Sequence, residues 1–437
     1  MGLLTFKGGI HPPHSKKSTE HLPIVDFLDI KVVEIPLRQH IGAPCEPAVQ
    51  KGDSVKVGQL IGTAGGFVSA NVHSSVSGNV LDVRKQNTAY GFDTCVVIEN
   101  DFNYEISETV KPKPDFKTLS GKEIIEMIKD AGIVGMGGAG FPTHVKLSPP
   151  PEKPIDTIVL NGAECEPYLT CDHRVMLEES EMIIKGLQIL MHALNVKNGV
   201  IGIESNKPDA IEKMKAAAQN TGINVVGLKT KYPQGAEKQL IFACTNRTIP
   251  SGGLPMDIGV VVNNVATAAT VGRLFMTGMP LVERVCTVTG KGIKSPKNIR
   301  FKVGTPLKAL IDFCDGYNGT PGKILLGGPM MGVAQFSDVL PAMKNTSGIL
   351  VFSDEEAKLP EASACIKCGK CVSTCPINLQ PIQISAYTLM HDYDKAAKYN
   401  ALDCIECGSC SFICPAKRPL LQTIRVAKRE ILARKKK

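Results

Sequence analysis

Two copies of one cysteine pattern constrain this chain more than any other feature. The first is Cys365-x2-Cys368-x2-Cys371-x3-Cys375-Pro376 and the second is Cys404-x2-Cys407-x2-Cys410-x3-Cys414-Pro415. The chain holds 15 cysteines in 437 residues, and its short polar N-terminus is not expected to be a signal peptide. An odd total in a long chain disfavours a disulfide scaffold, so metal ligation in a reducing compartment is expected. Structural zinc uses Cys-x2-Cys pairs, but it takes four ligands. It has no use for a third cysteine at the same spacing and a fourth before proline, all repeated.

Three closely spaced thiolates wrap one corner of an iron–sulfur cubane, and the proline turns the chain away. This is the spacing of bacterial two-cluster ferredoxins, where the fourth cysteine of each run ligates the other cluster. On that rule Cys365, Cys368, Cys371 and Cys414 hold one [4Fe–4S] cluster. Cys404, Cys407, Cys410 and Cys375 hold the second. Gly369 and Gly408 suit the tight loops between ligands. Two adjacent clusters without a substrate pocket imply a one-electron relay.

The remaining sequence reads as several globular segments. Short strands at 31–35, 55–60, 78–83 and 94–99 suggest a small β module after an irregular segment 1–30. A Lys-Pro-Lys-Pro linker at 111–114 follows, then a helix over 121–131. Alternating elements come next: strands at 156–161, 200–204, 224–228 and 258–263, with helices at 175–194, 208–220 and 265–276. That alternation predicts a parallel α/β sheet. Residues 283–335 return to short strands. No apolar run reaches the roughly 18–20 residues of a membrane span. The short polar N-terminus is not a signal peptide, so a cytosolic chain able to dock on a membrane is expected. Of the formal net charge of +8, residues 425–437 supply seven basic side chains and one acid. The body is close to neutral, which argues against nucleic acid as a partner.

A one-electron relay often ends at a flavin, which takes electrons in pairs and releases them singly. The densest glycine cluster is Gly135-Met136-Gly137-Gly138-Ala139-Gly140-Phe141-Pro142-Thr143, with Lys146 just beyond. Bare backbone there lets N–H groups approach a phosphate or flat ring. A glycine turn beside a surface lysine is the alternative. The loop Asn161-Gly162-Ala163-Glu164-Cys165-Glu166-Pro167 ends the next strand, where open α/β sheets bind ligands. Gly235-Ala236-Glu237-Lys238 and Asn263-Asn264-Val265-Ala266-Thr267 occupy comparable junctions.

Taken together, these segments resemble the NADH-binding flavoprotein subunit of respiratory complex I. With Phe6-Lys7-Gly8-Gly9-Ile10-His11-Pro12-Pro13 at the start and two ferredoxin runs at the end, nearly the whole chain resembles the RnfC family. These are the peripheral NADH-oxidising subunits of Rnf ion-pumping ferredoxin:NAD+ oxidoreductases. The resemblance implies a multidomain α/β protein: an N-terminal segment and barrel-sandwich hybrid at 1–110, then a Rossmann-like FMN/NADH domain at 111–280. A β-grasp-like SLBB module at 281–340, a two-cluster ferredoxin-like α domain at 355–420 and a basic tail at 421–437 follow. It implies non-covalent FMN cradled by Gly135, Gly137, Gly138, Gly140, Lys146, Asn161, Asn264 and Thr267. Phe141 would stack on the nicotinamide nucleotide, with Glu164 and Glu166 lining the NAD(H) pocket as catalytic-site residues. It also implies membrane and peripheral Rnf subunits as partners, ferredoxin as an indirect one, and a peripheral place on the cytoplasmic face of the bacterial membrane. This chain departs from the complex I pattern at Met136, Ala163 and Ala236.

The stretch from Pro47 to Val83 resembles a lipoyl or biotinyl carrier barrel, but His73-Ser74-Ser75 stands where a modifiable lysine is needed. A docking or structural role is expected. Leu421, Ile424, Ile431 and Leu432 among basic residues suggest either an amphipathic helix on anionic lipid or a solvated tail. Two other functions remain open on the sequence: a soluble flavin iron–sulfur reductase such as a cobalamin reductase, and a non-catalytic iron–sulfur relay.

Overall fold

The structure, a computed structural model, describes residues 3–435; Met1, Gly2, Lys436 and Lys437 of the expected N-terminal segment and basic tail lie outside the described residues. The N-terminal module is built from two small sheets. One orders Val32–Pro36, Gly91–Asn100, Gly78–Thr88 and Ser54–Val55; the other orders Cys45–Pro47, Leu60–Ala64 and Val72–His73. β-branched residues on their inner faces, among them Val33, Ile35, Ile61, Val72, Val96 and Ile98, share one core. A carrier role fails here on geometry. Ser74 and Ser75 are fully buried, and Ser75 Oγ donates to Val303 O at 2.7 Å.

The central domain is a four-stranded, all-parallel sheet ordered Asn224–Leu228, Asn198–Glu204, Thr157–Gly162, Val260–Asn264. Numbered along the chain this is 3-2-1-4, so the winding reverses between Thr157–Gly162 and Val260–Asn264. Parallel sheets open a crevice at the carboxyl ends of strands on either side of such a reversal. The expected helix over 175–194 is two helices, Cys171–Glu178 and Ser180–Ala193. The break is at Glu179, whose buried carboxylate receives the guanidinium groups of Arg273 and Arg300.

The third module is a six-stranded sheet ordered Ile24–Phe27, Lys297–Lys302, Glu283–Thr289, Gly348–Ser353, Pro321–Leu326, Val333–Gln335. It includes a strand from the segment expected to be irregular: Ile24–Phe27 pairs in parallel with Lys297–Lys302. Only long-range pairing makes that strand, so local pattern did not reveal it.

The rest of the N-terminal segment straps the domains together. Leu4 bridges to Leu228, Ile10 to Tyr232, and Gly9 N–H donates to Thr374 O at 2.9 Å. Lys16 is buried, and its Nζ donates to the carbonyl oxygens of Glu164 (3.0 Å), Glu166 (2.9 Å) and Leu169. Replacing it strands three buried carbonyls and the Glu164 carboxylate, 4.0 Å away. We expect Lys16→Met to lower unfolding free energy by about 3 kcal/mol in urea titration. A change below about 0.5 kcal/mol would show that the strap is dispensable.

The C-terminal domain packs Pro381–Leu389 and Tyr393–Lys398 against a helix spanning Leu420–Lys435. Here the expectation of a lipid-facing or solvated tail is corrected. Leu420, Ile424, Ala427 and Ile431 are buried in the domain's own core and Leu421 is buried beside it, so most of this apolar face is covered, with Leu432 left 48% exposed. No helix among the described residues is long and apolar enough to cross a membrane.

Candidate redox site

At the reversal of the central sheet, Asn161 and Asn264 stand at the carboxyl ends of neighbouring strands, and the glycine loop lies over them. The loop is closed by Gly135 N–H donating to Phe141 O at 2.8 Å. Met136 anchors it from below. Its N–H donates to Thr267 Oγ1 at 3.0 Å, and its carbonyl accepts from Arg284 Nη2 at 3.1 Å. Thus a buried arginine from the third module braces the loop at Met136. Gly137 must be small, because a Cβ there would approach Asn264 Nδ2 to 2.9 Å. Gly138 faces open space within 4 Å, while its carbonyl accepts from Asn345 Nδ2. Gly140 adopts φ +70°, close to Gln39 of the first module.

The other expected cradle residues are brought to the same place with different tasks. Asn264 caps the helix Val265–Thr277 through Ala266 N–H and donates to Asp172 Oδ2 at 2.7 Å. Asn161 Nδ2 donates to Gly235 O at 2.8 Å, and Asn161 Oδ1 accepts from Ala163 N–H. These side chains, with Thr267, shape the crevice through bonds within the protein. Lys146 holds Glu237 at 3.1 Å and Val262 O at 3.0 Å, and stays partly exposed. Phe141 is half-buried on the loop's return.

Asn263, outside the expected cradle set, is buried, and its Nδ2 has no protein partner. Both amide atoms of Gln234, beside Gly235, are likewise buried and unpaired. Buried polar atoms are nearly always satisfied, so unpaired ones at a crevice point to a ligand or water. Bare loop backbone at Gly137 and Gly138, an amine at Lys146 and these unpaired amides suit FMN, which offers a phosphate and a heteroatom-rimmed ring. The residues fit the group.

The two acids expected to line the nicotinamide pocket are turned to other partners. Glu164, with φ +46° and a side chain only 4% exposed, accepts from Asp172 N–H (2.6 Å) and His173 N–H (3.3 Å). It so neutralises the start of the helix Cys171–Glu178. Glu166 accepts from Met330 N–H (3.0 Å) and Met331 N–H (2.9 Å), tying this loop to the third module. Burial raises both carboxyls to about 7. For Glu166 the folded value lies above the ordinary 4.5. Its stabilisation is therefore complete below the ordinary value and is lost as pH rises through about 7. We expect unfolding free energy to fall between pH 5 and 8 by an amount on the order of 2 kcal/mol for this group, and Glu166→Gln to remove that part. A wild-type slope retained in the variant would contradict the assignment.

The cysteine runs form two related half-turns. Lys367 and Glu406 adopt φ of +54° and +58°, and Gly369 and Gly408 adopt +72° and +77° before the short helices Lys370–Ser373 and Ser409–Ile413. The left-handed residues aim backbone N–H groups at sulfur: Lys367 N–H at Cys365 Sγ and Glu406 N–H at Cys404 Sγ, each 3.4 Å. Cys375, from the first run, sits within electrostatic reach of Cys404, Cys407 and Cys410 of the second run and of Cys371 of its own, and Cys371 also sits near Cys414. Burial, with neighbouring thiols adding to it, pushes Cys404 up to about 11 and Cys410 up to about 12. The crossed ligand sets are what the spacing assigns to these eight cysteines.

The halves differ in surroundings. Cys375, Cys407 and Cys410 are buried, whereas Cys365 and Cys368 are exposed. Tyr232, fully buried, donates its hydroxyl to Cys407 O at 2.8 Å, with Glu166 at 3.5 Å. Gln239 Nε2 donates to Pro376 O at 3.2 Å. The second cysteine group therefore abuts the crevice domain, and the first faces outward.

Comparison with known proteins agrees with this division. The RnfC barrel sandwich hybrid domain matches residues 4–103 and the Nuo51 FMN-binding domain matches 128–273. The SLBB domain matches 285–334 and the 4Fe-4S dicluster domain 358–415. The C-subunit of the Na(+)-translocating ferredoxin:NAD(+) oxidoreductase complex of Acetobacterium woodii is 52% identical, covering 99% of this chain and 98% of its own. The C-subunit of the proton-translocating ferredoxin:NAD(+) oxidoreductase complex of Clostridium ljungdahlii is 51% identical, covering 98% and 94%. The C-subunit of the ion-translocating oxidoreductase complex of Rhodobacter capsulatus is 41% identical, covering 98% and 84%.

Proposed function

Since this chain belongs to the C-subunit family of ion-translocating ferredoxin:NAD+ oxidoreductases, we propose that it exchanges electron pairs with NAD(H) at the crevice and single electrons with the other subunits through the cysteine domain. FMN supplies the two-electron to one-electron conversion, and two [4Fe–4S] clusters supply the relay. The loop 135–141 offers backbone N–H groups and closes one side. Lys146, Asn263 and Gln234 supply charge and amides to phosphate and ring. Arg284, Thr267 and Asn264 hold the loop in the shape that receives them. Phe141 stands at the loop's edge for a stacked nucleotide. Glu164 and Glu166, buried and raised toward neutrality, keep the acidic loop fixed against the second cysteine group. Tyr232 joins the two.

The observation that carries this reading is the contact of the buried cysteine group with the crevice domain through Tyr232. It supports the order crevice, second cluster, first cluster, outside. Ion translocation belongs to partner subunits, and this subunit sits peripherally at the cytoplasmic face. A soluble flavin iron–sulfur reductase fits less well, because relatives matched over almost their full length are complex subunits. Anaerobic stopped-flow mixing with NADH tests the order. Flavin bleaching should precede cluster reduction. Cluster reduction with no flavin phase would overturn it.

A further inference from the structure

The two cysteine runs are structural repeats, and their matched positions have opposite surroundings. In the second run Ile405, after the first cysteine, packs with Tyr232, Cys407 and Met330 where the crevice domain docks. Its counterpart Ile366 is 67% exposed, and Leu359 nearby is 81% exposed. The second run's left-handed residue is Glu406, held by Arg425 and Lys428. The first run's is Lys367. Lys370 and Lys417 also adjoin the outward ligands Cys371 and Cys414 in sequence, and all three lysines are exposed. None of them has an acidic partner among the described residues. One repeat face is thus already occupied by this chain's own crevice domain, while its counterpart among the described residues presents exposed Ile366 with exposed lysines close to it in sequence.

We propose that the face formed by Ile366, Lys367, Lys370 and Lys417 docks a protein that carries its own one-electron centre beneath a carboxylate-rich surface. The proposal rests on the reading of the first run as the outer half of a cluster pair. Isoleucine beside the ligands excludes water and brings the two centres close. The lysines supply orientation and on-rate against opposite charge, as complementary rims do. The repeat also provides a variant built to fold: Lys367→Glu installs the residue that the second run carries in the same left-handed conformation.

The test uses membrane vesicles from cells deleted for this chain but retaining the other subunits. Purified chain is rebound and treated with a carbodiimide, which joins lysines to contacting carboxylates. The double variant Lys367→Glu/Lys370→Glu is run beside it. The proposal expects crosslinks from Lys367, Lys370 or Lys417 to a subunit bearing a cluster or flavin, and rebinding at least tenfold weaker for the variant, with a flatter salt dependence. Crosslinks only to a second copy of this chain, equal binding to subunit-free anionic liposomes, or unchanged rebinding of the variant each overturn it. Lys417→Glu, which leaves the loop that carries Cys365, Cys368 and Cys371 untouched, is run alongside: its rebinding should weaken too, while NADH reduction of both clusters in the isolated Lys417→Glu protein should match wild type. If isolated wild-type protein shows no such reduction, the functional reading fails, and the crosslinking result still decides the docking face.

Discussion

Cys375→Ser, a change in the first cysteine run, is expected to destroy the second cluster. Iron content should fall from about eight to about four per chain, given two [4Fe–4S] clusters. NADH should still bleach the flavin, but the surviving outer cluster should no longer be reduced within the flavin's turnover, a loss of at least a hundredfold in rate. The reasoning is geometric. The spacing assigns Cys375 to one cluster with Cys404, Cys407 and Cys410, and Cys407 of that set has its carbonyl on Tyr232. Electrons leaving the crevice meet that cluster first. Electron paramagnetic resonance of the reduced variant identifies which cluster remains. If the outer cluster is lost and the inner one persists, each run serves its own cluster and the crossed assignment is wrong.

The second large effect is expected at Gly138. A Cβ there meets nothing within 4 Å, and the residue does not require a positive φ. Gly138→Leu should therefore leave the thermal unfolding midpoint nearly unchanged. The added side chain fills the space assigned to the flavin. FMN affinity, read by quenching of flavin fluorescence, should drop at least a hundredfold, which is about 2.7 kcal/mol. Gly137→Val is the contrast: its Cβ collides with Asn264, so it should lose stability and flavin together. If Gly138→Leu retains FMN at wild-type affinity, the flavin does not lie on this loop.

The sequence made some of this plain and hid the rest for physical reasons. The cysteine spacing is local, and ligand geometry ties it directly to cluster chemistry, so the two-cluster domain was legible. The parallel sheet was legible because strands and helices alternate with distinct periods. The crevice was placed by the same means, at strand ends bearing Asn161 and Asn264. Arg284 was not, since it reaches Met136 from another module and no local motif marks it. Asn263 carried a signal that was passed over. It shares the strand-end pair with Asn264, but only burial shows that its amide lacks a partner. The family resemblance alone assigns Glu164 and Glu166 to the nicotinamide pocket, and no local pattern marks the backbone N–H groups that they accept from. The backbone turn at Glu164 sends its carboxylate to a helix start. The strand Ile24–Phe27 and the covered face of the last helix depend on partners that are distant in sequence, where periodicity is silent.

Sulfur-bound iron in the C-terminal domain underlies every electron-transfer step described above. The direct test is the metal and acid-labile sulfide content of the chain purified without oxygen. About eight irons and about eight sulfides per chain are expected, as two cubanes require. Zinc in stoichiometric amount with no labile sulfide would contradict the relay.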